Sequence, residues 1–187
     1  MKFTLVILLL LHSFFAFSQT SEITKILNRK LENEIRAQSE DTINYYGEKF
    51  EVVKTFSIRD SIQQMIVTNA DGIEDRLIQT GLKILSYELK HRFCYGGGYQ
   101  IEKQEVPLDL ITAIAKDVQI LFETKPNAVK ITRTNYYDDG RIENVTDQSD
   151  LFFTHLKYER GNEDLGYKVK KLFEKAGYEI KKGDWYD

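Results

Sequence analysis

The chain has 187 residues, with 26 Lys and Arg against 29 Asp and Glu, and one cysteine, Cys94. Charges of both signs are interleaved, which argues against nucleic acid as a partner, because phosphate binding needs a concentrated basic surface. A lone cysteine closes no intramolecular disulfide, so the fold must rest on its hydrophobic core.

The first predicted element is a leader. Lys2 supplies one positive charge, an apolar run follows from Phe3 through Leu11, and Phe14-Phe15-Ala16-Phe17-Ser18 resumes after His12 and Ser13. A basic start, an apolar stretch and small residues spaced A-x-S make a secretory signal peptide over 1–18, cut between Ser18 and Gln19. A bilayer-crossing helix needs about 20 apolar residues; this stretch is shorter and is interrupted, so no stable membrane span is expected after cleavage. No cysteine lies near the cut to carry a lipid. Taking 18 residues from 187 leaves 169, enough for one domain over 19–187. Lys2 is the leader's only charge, so the mature chain carries 25 Lys and Arg against 29 acids, a net −4. The Phe17-Ser18-Gln19 ending resembles the leaders of uncharacterised exported proteins of Bacteroidota-type bacteria. That resemblance covers the leader alone; it implies export to the periplasm or the medium and nothing about activity.

The mature chain opens with an amphipathic helix over 19–40. Ile23, Ile26, Leu27, Leu31 and Ile35 fall on one stripe, with Thr20 or Ser21 as N-cap. Its polar face mixes both signs of charge, which suits packing on the domain better than a membrane surface. Period-two patterns then predict strands over 48–158. Phe50, Val52, Phe56 and Ile58 form one, Arg59-Asp60-Ser61 a turn, Ile62 to Thr68 a second strand and Asn69 to Gly72 another turn. Residues 73–83 fit a strand or a short helix. Leu85 to Tyr95 is the clearest strand, with Leu85, Tyr87, Leu89, His91, Phe93 and Tyr95 on one face. Gly96-Gly97-Gly98 turns it into Tyr99 to Val106, where Pro107 ends the hairpin, and Tyr95 and Tyr99 would pair across it. Leu108 to Lys116 has brief helical spacing. Val118 to Thr124 and Val129 to Tyr136 read as a further hairpin. Asp138-Asp139-Gly140 is a turn and Leu151 to Tyr158 the last strong strand.

A helix over 162–176 closes the chain. Asn162 caps it, Glu163 and Asp164 begin it, Leu165, Val169, Leu172, Phe173 and Ala176 form its stripe, and Gly177 stops it. Lysines 168, 170, 171 and 175 lie toward its C-terminus, the charge order a helix dipole favours. Tyr178 to Ile180 can add an edge strand. The expected fold class is α+β: an antiparallel sheet or partly closed barrel built from hairpins, with an N-terminal amphipathic helix and a C-terminal capping helix. From Phe50 to Gly177 this order is similar in outline to pleckstrin-homology-like domains. Lipid-binding members of that family put a basic cluster in the first hairpin loop; here that loop reads Arg59-Asp60-Ser61, one base against one acid, and gives lipid binding no support.

Chemistry-bearing residues are few. His91, His155 and Cys94 fall short of the four Cys or His ligands of structural zinc. His91 and Cys94, three apart on a strand, face opposite sides, which weakens a nucleophilic pair, whereas Cys94 with His155 across strands stays open. His91 reads as a hydrogen-bonded core residue. The acids Asp138, Asp139, Glu143, Asp147 and Asp150 lack the order of a calcium loop and read as a solvated loop. No Gly-Lys-Ser/Thr follows Gly96-Gly97-Gly98, and no G-x-S-x-G is present. Asn144-Val145-Thr146 matters only on a eukaryotic secretory route. No catalytic, cofactor-binding or metal-binding residue is therefore assigned, and no cofactor is expected. The reading favours an exported non-enzymatic binding or interaction module of the cell envelope, with another envelope or secreted protein as partner. The alternative is a small extracytoplasmic hydrolase, marked by a deep pocket holding His155 with a carboxylate and a hydroxyl or thiol.

Overall fold

The computed structural model describes residues 2–40, 45, 48–68, 74–93, 97–158 and 160–186, with side chains described outside 2–19 and 62–80. Helix α1 is Lys2–Glu40, and nine strands follow: β1 Phe50–Thr68, β2 Glu74–Arg92, β3 Tyr99–Pro107, β4 Ile111–Lys116, β5 Ile120–Thr124, β6 Val129–Tyr136, β7 Ile142–Ser149, β8 Leu151–Phe153 and β9 Lys181–Trp185. Helix α2, Glu163–Lys175, lies between β8 and β9, and a single 3-10 turn, Leu108–Leu110, precedes β4. One sheet has the order β1-β2-β3-β6-β7 and a second the order β8-β5-β4-β9. Among the described residues the architecture is therefore α+β with an antiparallel five-stranded sheet and no closed barrel.

The hairpin of β2 and β3 pairs Tyr87 with Gln104, Leu89 with Glu102 and His91 with Gln100. It sets the register for everything that follows. Gly98 at its turn has φ +104°, and an added Cβ would collide with the Tyr136 carbonyl, so only glycine fits this left-handed close approach. Tyr99 stacks on Tyr136 of β6 at 4.7 Å, where a pairing with Tyr95 was expected; Tyr95 lies outside the described residues.

Several expectations are corrected. The turn at Arg59-Asp60-Ser61 is absent: β1 runs straight through it and absorbs the irregularity as a register shift between Ser61 and Ile62. Residues 74–83 are strand, and β1 and β2 stay paired out to Thr68 with Glu74, although β3 reaches β2 only from Ile84 to Arg92. The expected turn at 69–72 lies outside the described residues. Beyond its 3-10 turn, the stretch 108–116 is strand β4, paired with β5 and β9 and packed on α2, with its apolar residues Ile111, Ala113, Ile114 and Ala115 all buried. Strands β5 and β6 exist but do not pair; β5 joins β4 and β8, and β6 joins β3 and β7. Strand β7, read beforehand as acidic loop, is the edge of the first sheet. The last strand stops at Phe153, and the C-terminal strand is Lys181–Trp185, parallel to β4, in place of 178–180.

Helix α1 starts at Lys2 without a cap at Thr20 or Ser21, and Ile35 is exposed. Its buried face mixes Ile23, Leu27 and Leu31 with polar residues that clamp backbone. Asn28 accepts the Phe56 N–H at 2.8 Å and donates to the Phe56 carbonyl at 2.9 Å. Gln38 accepts the Phe50 N–H at 3.1 Å. Helix α2 buries Leu165, Val169 and Phe173 as expected. It ends on Gly177 at φ +87°, with Tyr178 N–H donating to Phe173 and Gly177 N–H to Glu174, the paired closure of a left-handed C-terminus. Asn162 does not cap with its side chain; its Oδ1 instead accepts from Lys116 Nζ at 3.3 Å and Trp185 Nε1 at 3.1 Å, tying α2 to β4 and β9. Aromatic rings link the layers: Phe56 to Tyr87, Tyr87 to Phe152, Phe152 to Phe122 and Phe122 to Phe173, all within 6.5 Å. Among the described residues no helix is long and apolar enough to cross a membrane.

Candidate histidine crevice

Along its inward face β2 passes from Leu85, Tyr87 and Leu89, all buried, to half-buried His91. The neighbouring face of β3 runs Val106, Gln104, Glu102, Gln100, so the register sets a polar residue beside each of the last three β2 positions. Strand β6 continues those rows with Arg133 opposite Glu102 and Asn135 opposite Gln100. The apolar core thus gives way to polar chemistry at one end of the sheet. His155, two residues beyond β8, folds over that end, and a crevice of about 290 Å³ lies between Glu48, His91, Arg92, Phe93, Gln100, Glu102 and His155.

His155 is held from several sides. Its φ of +59° is in the left-handed region, which a residue with a Cβ adopts only at a cost of about 1–3 kcal/mol when its surroundings demand it. They do: His155 N–H donates to Gln119 Oε1 at 2.8 Å. The next two backbone N–H groups with free direction, those of Lys157 and Tyr158, both donate to Glu34 Oε2 at 2.8 Å, and Tyr45 donates to Glu34 Oε1 at 2.8 Å. Glu34 is 2% exposed, so α1 carries a buried carboxylate whose work is to fix the segment after β8.

The protonation pattern of His155 follows from its partners. Gln104 Oε1 accepts the Phe153 N–H at 3.0 Å, so its Nε2 end must donate, to the Tyr87 hydroxyl at 3.1 Å and to Glu102 Oε1 at 2.8 Å. The Tyr87 hydroxyl gives its one proton to the Phe153 carbonyl, which can only accept. The remaining contact, between Tyr87 hydroxyl and His155 Nδ1 at 2.7 Å, must then have Nδ1–H as the donor. This fixes the tautomer and leaves His155 Nε2 with a bare lone pair. Burial first, and then the neighbouring His91, push the imidazole down from its ordinary 6.5 to about 4, so the ring is neutral at pH 7.

His91 lies with its ring centroid 5.2 Å from that of His155 and 6.0 Å from that of Phe50. Burial also lowers its pKa, against the pull of Glu48 and Glu102. Its Nδ1 is sealed from solvent and has no hydrogen-bond partner among the described residues. The expectation of a hydrogen-bonded core histidine is therefore not met at Nδ1. An orphaned buried nitrogen on a residue that lines the crevice calls for an explanation such as a bound water, ion or ligand. Burial works to raise the Glu102 carboxyl, but the bonds from Arg133 Nε at 2.8 Å and from Gln104 override it and hold the group below the usual carboxylate range. Glu102 is thus a fixed negative charge beside two neutral imidazoles.

The other expected candidates are placed elsewhere. Cys94 lies outside the described residues, so neither its facing relative to His91 nor a pairing with His155 enters the site. The acidic run is spread along the β6–β7 hairpin with a separate partner for each acid named here: Asp139 accepts the Arg141 N–H, Glu143 the Tyr137 hydroxyl, Asp147 pairs with Arg133 and Asp150 accepts the Asn127 N–H. Asn144 of the sequon accepts the Thr134 hydroxyl across the same hairpin. Among the described residues no three His, Cys, Asp or Glu side chains cluster as a metal set. Tyr87, Glu102, Gln104, Arg133 and Gln119 were not singled out from the sequence. A signal existed: with the β2–β3 hairpin registered through its glycines, Gln100, Glu102 and Gln104 fall on the inward face, where strands ordinarily place apolar residues. No protein-family model, curated protein or solved structure matches the chain.

Proposed function

We propose that the protein is an exported, non-enzymatic binding module of the cell envelope, cut after Ser18, released to the periplasm or the medium, and binding its ligand in the histidine crevice. The leader supports the address. The observation that carries the role is the pair of neutral imidazoles, one with a bare Nε2 and one with an orphaned Nδ1, at the mouth of an otherwise sealed core.

The hydrolase reading has in its favour that His155, a carboxylate and a hydroxyl do converge. The chemistry of each group speaks against it. A general base works best with a pKa near the operating pH, and His155 at about 4 is a weak one. Tyr87 is 2% exposed, burial raises the pKa of its hydroxyl well above the ordinary value, and the proton is committed to a backbone carbonyl. Among the described residues that line the crevice there is no hydroxyl or thiol nucleophile, and His155 is a weak base. Groups that are neutral, fixed and open to one side suit holding a ligand better than turning one over.

The test is a pull-down of the protein from the envelope fraction with mass spectrometry, run alongside a hydrolase substrate screen. The binding reading expects a stoichiometric companion, lost on His155→Asn, and no turnover. Turnover abolished by His155→Asn would replace it with the hydrolase reading.

A further inference from the structure

We infer that the crevice binds a divalent transition-metal ion of the imidazole-preferring class, Zn²⁺ or Cu²⁺, between His91 and His155. This inference rests on the binding-module reading and names its ligand.

Four observations carry it. The first is separation. Two imidazoles bound at about 2.05 Å through nitrogen to one tetrahedral ion put their ring centroids roughly 5.2 Å apart. The observed centroids are 5.2 Å apart. The second is protonation. A metal needs the imidazole neutral with one nitrogen bare, and the chain Phe153 carbonyl, Tyr87 hydroxyl, His155 Nδ1–H imposes that state on His155 in the manner of the outer partners that orient ligating histidines. The third is the orphaned Nδ1 of His91, a buried nitrogen to which no described group donates or accepts. The fourth is charge. The Glu102 carboxylate, held by Arg133 Nε and Gln104 Nε2, lines the crevice beside the pair and favours a cation, with Glu48 on the rim, while Arg92, Lys157 and the Arg133 guanidinium oppose them.

Among the described residues two imidazoles come together, so the remaining positions are left for water or for a ligand the ion brings with it. Such a site is exchangeable, unlike a structural four-ligand site, and an open coordination position is what lets a bound ion recruit a third group. By the usual order of affinities Cu²⁺ binds more tightly than Zn²⁺.

The experiment is a calorimetric titration of the purified chain with zinc chloride at pH 7.5, with ring ¹⁵N spectra of both histidines recorded in parallel. The expected result is one site per chain, shifts of the His91 and His155 ring nitrogens, and an affinity weakened roughly tenfold or more by either His91→Ala or His155→Asn. His155→Asn keeps a side-chain N–H donor for Tyr87 and a residue that tolerates left-handed backbone, so a fold defect does not explain the loss. No binding, or binding that both variants leave unchanged, overturns the metal inference. If zinc fails while the envelope companion is still captured and is lost on His155→Asn, the metal falls and the binding module stands. If both fail, the crevice is not the site.

Discussion

Acid should unfold this protein through His155 before it unfolds it through carboxylates. The ring sits at about 4 in the folded chain against an ordinary 6.5 in the unfolded one. A depressed folded pKa means that the unfolded chain takes up the proton first, so stability is fully present above 6.5 and is lost as pH falls toward 4. At about 1.36 kcal/mol per pH unit, the loss is about 2 kcal/mol between pH 7 and 5 and about 3 kcal/mol by pH 4. Groups facing the ring set the size of the effect: burial and His91 of β2 and Lys157 beyond β8 oppose the charge, and Glu102 of β3 and the Phe153 carbonyl favour it. The carboxyls of Glu51, Glu102 and Glu105 are held below their ordinary 4.5, so their contribution is lost only at lower pH. Urea denaturation at pH 7, 6, 5 and 4, followed by circular dichroism, should show the midpoint falling by roughly 1 M between pH 7 and 5. In His155→Asn most of that slope should vanish, leaving the smaller contribution of His91. Identical curves for wild type and variant over that range would refute the argument that burial of His155 sets its charge state.

Two further substitutions probe the supports of the site. Tyr87→Phe removes one oxygen and leaves His155 Nδ1–H, Gln104 Nε2 and the Phe153 carbonyl short of a shared partner, which should cost about 2–4 kcal/mol in urea denaturation; under 1 kcal/mol would mean that the three groups find water. Glu34→Ala strips two backbone N–H groups and the Tyr45 hydroxyl of a buried carboxylate, with an expected loss of about 3 kcal/mol and faster amide exchange at Lys157 and Tyr158; unchanged exchange there would contradict the clamp.

How much of this was legible in the sequence depends on the range of the interactions involved. Elements governed by local pattern read well: α2 with its acids first and glycine last, the strand carrying Leu85 to His91, and the hairpin through Gly97 and Gly98. Pairing between distant strands did not, because β5 and β6 adjoin in sequence yet belong to different sheets, and alternation alone does not say which sheet buries a strand. Arg59-Asp60-Ser61 looked like a turn from its polarity, but on an edge strand such residues face solvent and pair across, Arg59 with Glu105 and Asp60 with Lys83. The same limit hid the site. Glu34 read as part of a solvated helix face, though it is 2% exposed, since no local pattern shows that two backbone donors from 123 and 124 residues away will meet it. His91 and His155 were both noticed, but their approach depends on the left-handed backbone at His155, which β8 and Glu34 impose from outside the local sequence.

A long-range ¹H–¹⁵N correlation spectrum of the histidine rings at pH 7 goes straight to the tautomer on which the crevice depends. The account predicts His155 protonated at Nδ1 and bare at Nε2, with the ring neutral well into the acid range. A ring protonated at Nε2, or one charged at pH 7, would contradict it and take away the lone pair that the ligand is meant to find.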